Sequence, residues 1–279
     1  MRPGSRTIGP RRMPVCTLLT DFGTADYYVA AVKGVLLASA PGTTVVDLGH
    51  EVAPGDVEGG AWLLAAAARW YAAGTVHLAV VDPGVGGERR ILAAAAGGML
   101  FVGPDNGLLL PAAEAAAGTA GRVELRAVTR AELWRPGPGA TFHGRDRFAP
   151  AAAWLLGGGA LAGLGPGIAD PVRLALPAPR RDGAPGAAGA VLAGRVAWID
   201  RFGNLVTDLP AEWLGDRPCR VEVAGHATAR RAGHYREIPP GEAAALPGSL
   251  GTLELALDGD SLARRWRVAR GAAVTVRLD

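Results

Sequence analysis

Lysine is almost absent from this chain of 279 residues: Lys33 is the only one among 29 basic side chains. The remaining basic residues are arginines, scattered rather than striped and not interleaved with aromatics, so a nucleic-acid partner is not expected. Heavy use of arginine, alanine, glycine and proline fits a GC-rich coding background better than a selected basic face. Cysteine is scarce as well. Two residues, Cys16 and Cys219, cannot make a disulfide framework, and no C-x-x-C or H-x-x-x-H spacing offers a metal site. Cys16 lies in an apolar, strand-like run, where a buried thiol is expected. Long apolar runs are also missing. None reaches the ~20 residues that span a bilayer, and the segment Ala61–Ala68 is closed by Arg69. The first fourteen residues are rich in arginine, proline and glycine and lack an apolar centre. They read as a loose tail rather than a signal peptide, which makes the cytoplasm the expected location.

What is present is a globular composition, 49% apolar and 20% charged. From Val15 short apolar runs alternate with amphipathic ones. Val15–Thr20, Thr43–Leu48 and Thr75–Val81 read as strands. Tyr27–Ser39 and Asp56–Ala73 read as helices, the second with acidic residues in its first turn. Ile91–Ala96 and Met99–Val102 are further strands, a short helix follows near Leu110, and Phe148–Leu156 begins another. This alternation predicts an α/β N-terminal domain with a mainly parallel sheet, over residues 15–178 after a disordered tail, 1–14. Pro177–Gly189 has a linker composition. Beyond it, Gly194–Ile199, Leu205–Asp208, Arg220–Val223, Thr252–Leu257 and Val274–Leu278 read as short strands, predicting a smaller all-β barrel over 190–279.

Asp21, Asp47 and Asp82 each fall near the end of an apolar strand, the edge where open α/β sheets bind ligands. Each alone could equally cap a turn or helix. The run Asp82-Pro83-Gly84-Val85-Gly86-Gly87-Glu88-Arg89 is neither a dinucleotide fingerprint nor a phosphate loop. It is a tight turn that can fold Arg89 over Asp82, although Arg90 could make the pair instead. In Thr141-Phe142-His143-Gly144-Arg145-Asp146, His143 sits in a charged loop before a helix, an unusual place for a core histidine. Asp105 and Asn106 tip another glycine turn. Asp200, Phe202 and Asn204 cluster in a turn that suits a flat heterocycle as well as a hairpin.

Five segments in order resemble the S-adenosyl-L-methionine hydroxide adenosyltransferases, relatives of the enzymes that make 5′-halo-adenosines. They are Thr20–Gly34, Val81–Arg90, Gly103–Leu109, Thr141–Ala153 and Trp198–Asp208. The resemblance implies an α/β domain followed by a β-barrel, and a homotrimer with active sites between subunits. It also implies that Asp82, Arg89 and His143 are catalytic and that Asp21 holds the ribose diol. Asp200, Phe202 and Asn204 would contact adenine and methionine, with Asp105 and Asn106 lining the pocket. The family's Asn-Ser-x-Gly is Gly248-Ser249-Leu250-Gly251 here, so Ser249 and Tyr235 stand as the candidates for that side.

The implied reaction is hydrolysis of S-adenosyl-L-methionine to adenosine and L-methionine. Its sulfonium is already a good leaving group, so the site need only orient and activate water, without metal or redox cofactor. Which member of the trio takes the proton is left open by the sequence. Three rivals are a halide-dependent adenosyl transferase, a non-catalytic adenosyl-ligand-binding protein, and a metal phosphatase built on the strand-end aspartates. Halide transfer is disfavoured because Asp82 would repel the anion, and the halogenating relatives lack this acid and the histidine.

Overall fold

The structure is a computed structural model and describes residues 13–136, 141–184 and 187–279. Apart from Met13 and Pro14, the expected N-terminal tail lies outside the described residues. The chain divides into two compact units, through Leu174 and from Ala175 onward.

The first unit is built on six strands, β1 (Val15–Thr20), β2 (Thr44–Gly49), β3 (Val76–Val80), β4 (Ile91–Ala96), β5 (Met99–Pro104) and β6 (Glu124–Ala127). Their order in the sheet is β2-β1-β3-β5-β4-β6. The pairs β1–β2, β1–β3 and β3–β5 are parallel, while β4 pairs antiparallel with both β5 and β6. The sheet is therefore mixed rather than mainly parallel. The reason is local: Gly97 and Gly98, both at positive φ, join β4 directly to β5 as a hairpin. β6, with its polar Glu-Leu-Arg-Ala sequence, is a further strand that apolar patterning did not reveal.

Four helices cover the sheet, α1 (Tyr28–Ser39), α2 (Val57–Ala68), α3 (Leu110–Ala117) and α4 (Ala149–Leu156). Val29, Val32 and Leu36 of α1 pack with α4, Cys16 and Leu18 in one core, whereas Ala61 and Leu64 of α2 pack with α3, Ala79 and Phe101 in another. Apolar layers on both faces explain why β1 and β3 read as continuous apolar runs. The α2 helix starts at Val57 because the Asp56 side chain accepts from Gly59 N at 3.0 Å as its cap. Four consecutive parallel strands end on one edge, and each is followed there by polar residues: Asp21, His50, Asp82 and Asp105. The chain order reverses between β1 and β3, the position where such sheets open a ligand crevice.

The second unit holds β7 (Arg180–Asp182), β8 (Val191–Ile199), β9 (Leu205–Pro210), β10 (Cys219–Val223), β11 (His226–Thr228), β12 (Ala243–Pro247), β13 (Thr252–Leu257) and β14 (Ala273–Leu278), with one short helix, α5 (Leu262–Trp266). The order β11-β10-β14-β8-β9-β13-β12 is antiparallel throughout and barrel-like. β7 lies inside the stretch with linker composition and pairs with the start of β8. Both cysteines are free and buried, and burial pushes the Cys16 thiol up to about 12. Among the described residues no helix is long and apolar enough to cross a membrane.

Candidate active site

A cavity of about 520 Å³ opens beside the carboxyl ends of β1 and β3. Asp21 and Phe22 border it from the turn after β1, Val80, Asp82 and Val85 from the turn after β3, and Tyr27 and Tyr28 from the start of α1. Thr141 through Arg145 close the remaining side.

The turn after β3 does fold back. Val85 N donates to Asp82 O at 3.2 Å, Gly87 N donates to Gly84 O at 3.0 Å, and Gly86 adopts φ +82°. This brings Arg89 onto Asp82. Arg89 Nε donates to Oδ1 at 2.9 Å and to Oδ2 at 3.1 Å, and Nη2 donates to Oδ2 as well. Arg90 turns the other way and pairs with Asp105 and Asp170. Arg89 Nη2 also donates to His143 Nδ1 at 2.7 Å, and its guanidinium lies over the Phe148 ring, 5.2 Å from the centroid. The three side chains therefore form one contiguous group with little exposure.

His143 stands immediately before a π-helical turn, Gly144–Phe148, that leads into α4. Such turns often occur at functional sites because the extra residue re-aims side chains. Its pKa is lowered by burial and then by the positive charges of Arg147 and Arg89, outweighing Asp82 and Asp146. A neutral ring whose Nδ1 accepts from Arg89 must carry its proton on Nε2. That Nε2 is buried and has no hydrogen-bond partner among the described residues. It is a donor left over on a residue that borders the cavity.

Asp21 Oδ2 accepts from Gly55 N at 2.8 Å, which fixes the carboxylate at the cavity wall. Phe22, Tyr27, Tyr28 and Phe142 form an aromatic group there, with Tyr27 and Tyr28 stacked at 4.6 Å and Phe142 edge-on to Tyr28 at 5.1 Å. The sequence reading did not single out these rings. Their one signal was an aromatic pair beside the Asp21 turn. Asp105 and Asn106 are placed behind the cavity wall rather than on it. Asp105 is buried, paired with Arg90 at 2.7 Å, and accepts from Val172 N. Asn106 donates to Val81 O at 2.9 Å, so it holds the backbone that presents Asp82. Among the described residues no group of three or more His, Cys, Asp or Glu side chains could hold a metal ion.

The second unit carries its own polar cluster. Asp200 Oδ1 accepts from the backbone of Phe202 and Asn204, and Oδ2 accepts from Asn204 Nδ2 at 2.9 Å. Gly203 is obligatory in that turn: at φ +87° a Cβ would lie 1.9 Å from Ser261 Oγ. The turn leaves the Phe202 ring 76% exposed. Tyr235 donates its hydroxyl to Glu254, a buried carboxyl on β13 that the sequence reading missed. Burial, Glu254 and then Asp200 raise the tyrosine pKa, so it stays a donor. A lone acid inside the apolar run Thr252–Leu257 was the available signal for Glu254. Ser249 is exposed in the turn between β12 and β13.

The arrangement can be compared with known proteins. Residues 16–165 match the model of the SAM hydroxide adenosyltransferase N-terminal domain, and residues 194–275 match the model of its C-terminal domain. The chain belongs to the SAM hydroxide adenosyltransferase family. Within it, the (R)-S-adenosyl-L-methionine hydrolase of Salinispora tropica is 41% identical, covering 94% of this chain and 97% of that one. The Thermus thermophilus enzyme of the same name is 42% identical over 87% of this chain and 91% of its own. A fluorinase from an Actinoplanes species is more distant, 32% identical over 70% of this chain and 72% of its own. Among solved structures, an uncharacterised conserved protein from Thermotoga maritima superposes with a TM-score of 0.84 at 30% identity, covering 94% of this chain and 99% of that one. This SAM hydroxide adenosyltransferase family member thus shares its sequence with named hydrolases, and its fold with the Thermotoga maritima protein, along most of its length.

Proposed function

We propose that this protein hydrolyses S-adenosyl-L-methionine to adenosine and L-methionine. The observation that carries the reading is the Asp82–Arg89–His143 group at a cavity wall, in a chain 41–42% identical to hydrolases of that substrate. A water oxygen attacks the 5′ carbon, the C–S bond breaks, and methionine leaves as a neutral thioether that needs no general acid. One water proton must go to the protein. Arg89 is a permanent cation and cannot take it. His143 already uses Nδ1 as an acceptor and has a proton on Nε2, so it donates to the water oxygen and orients it. Asp82 is the remaining acceptor. Asp21 holds the ribose diol with the oxygen that Gly55 does not occupy, and the aromatic group faces the sulfonium cation. The reaction asks for no cofactor, and the proposed location is the cytoplasm.

Transfer of a halide is the nearest rival. A halide replacing water would face the Asp82 carboxylate, a like charge that a neutral water does not meet. Product chromatography with and without chloride separates the readings. Adenosine and methionine at a chloride-independent rate are expected. Faster release of 5′-chloroadenosine would replace the hydrolase reading. Tight binding without turnover, unchanged in His143→Ala, would make the protein a binding module instead.

We also propose a homotrimer, in which the Asp200–Phe202–Asn204 and Tyr235–Glu254 cluster of one subunit completes the cavity of the next. An exposed ring at Phe202 supports this, since an aromatic side chain held out by a rigid turn stabilises little until covered. Mixing Asp82→Ala with Asn204→Ala subunits should restore activity that neither variant has alone, with a trimer mass in sedimentation.

A further inference from the structure

Behind the Asp21 turn runs a row of polar side chains that the mechanism above does not use. Lys33 on α1 donates to Asp47 Oδ2 at 2.6 Å. Asp47 Oδ1 lies 3.0 Å from His50 Nε2, close but off the line of an ideal hydrogen bond. His50 Nδ1 is 2.9 Å from Thr20 Oγ1, and that oxygen accepts from Phe22 N at 3.2 Å. The His50 carbonyl accepts from Gly23 N at 2.8 Å. One proton arrangement serves the whole row. Asp47 is only an acceptor, so His50 carries its proton on Nε2. Nδ1 then accepts the Thr20 hydroxyl proton, and the hydroxyl oxygen is left to accept from Phe22.

Aspartate, histidine and threonine follow here in the order of a nucleophilic triad. Thr20 is fully buried, however, and its oxygen is taken by the Phe22 N–H. The row ends on backbone instead: its contacts at Thr20 and Gly23 bracket Asp21 and Phe22, which border the cavity. On the β2 side the β1 ladder shifts register between Leu18 and Leu19, while β3 pairs with β1 through Thr20, so the row supports the turn just beyond the paired residues.

We propose that Lys33, Asp47 and His50 are positioning residues that hold the Asp21 turn and act on substrate binding through Asp21. The inference rests on the reading of Asp21 as the ribose-diol acceptor. Asp47 and Lys33 are partly exposed, so Asp47→Ala and Lys33→Met spare the core. In Asp47→Ala, KM for S-adenosyl-L-methionine should rise about tenfold with kcat within about threefold, the usual size of an outer-shell effect. Lys33→Met should follow in the same direction with a smaller change, and Asp47→Asn should recover part of the loss. Calorimetry should show adenosine weakened to a similar degree and 2′,3′-dideoxyadenosine unaffected. In an Asp21→Asn background, adding Asp47→Ala should cost less than about twofold, because both act on one contact. Equal weakening of the dideoxy compound, a full tenfold loss in the double variant, or an unchanged KM in both single variants would overturn the proposal. Absence of wild-type turnover would instead overturn the hydrolase reading, and the two adenosine titrations would still decide the role of the row.

Discussion

Arg89 donates from one nitrogen, Nη2, both to Asp82 and to His143 Nδ1, a residue 54 positions further along the chain. The guanidinium thereby fixes the carboxylate and sets the histidine tautomer together. A planar fork can do this, while a lysine ammonium on a flexible stem cannot hold both in register.

Arg89→Lys should therefore lower kcat by about 10²-fold or more while KM changes little, since the charge stays and the geometry goes. Steady-state kinetics on adenosine release reads this directly. A full-rate lysine variant would show that charge alone is enough.

Asp82→Asn and His143→Gln should each cost about 10²–10⁴ in kcat. The double variant should lose scarcely more than the worse single one, because acceptor and orienting donor act on one water. Multiplying losses would mean that the two groups work in separate steps.

The pH profile has a definite sign. Burial, then Arg147 and Arg89, hold the His143 pKa below its ordinary 6.5, so the neutral ring persists into mild acid. Activity should stay level down through pH 6.5 and fall only below it, as protonation takes away the acceptor for Arg89. Measuring kcat/KM from pH 5 to 8 checks this, and an acid limb centred above 6.5 would contradict it.

Stability should also carry a histidine signature. His77 is fully buried against Thr17, Met99 and Phe101, and burial pushes its pKa from 6.5 down to about 4. As pH falls the unfolded chain takes up the proton first. The folded state loses stability from about pH 6.5 down to about 4, amounting to about 3 kcal/mol at 1.4 kcal/mol per pH unit. Urea midpoints at pH 7 and pH 4 should differ less in His77→Gln than in the wild type.

Much of this was legible in the sequence because it depends on neighbours in the chain. Apolar runs fixed β1 and β3, which are buried on both faces. The glycine spacing from Asp82 to Arg89 foretold a folded-back turn, with Arg90 as an equal candidate until the backbone set which arginine faced Asp82. Asp105 and Asn106 read from the sequence only as a polar turn, and the family resemblance implied that they line the pocket. In the structure they bond to Arg90, Val172 and the Val81 carbonyl, partners distant in sequence. The polar strand β6 was hidden because it is set by pairing with β4 and not by its own composition.

Strand–helix alternation, turn chemistry and the ordered motifs that carry the family are all set by residues close together in the chain. Tertiary structure alone decided which groups meet: Arg89 with His143, Tyr235 with Glu254, and Lys33, Asp47, His50 and Thr20 in one row. The physical reason is range. Propensity and periodicity act over a few residues, whereas hydrogen bonds and ion pairs are chosen by distances of about 3 Å between atoms that only sheet order brings together.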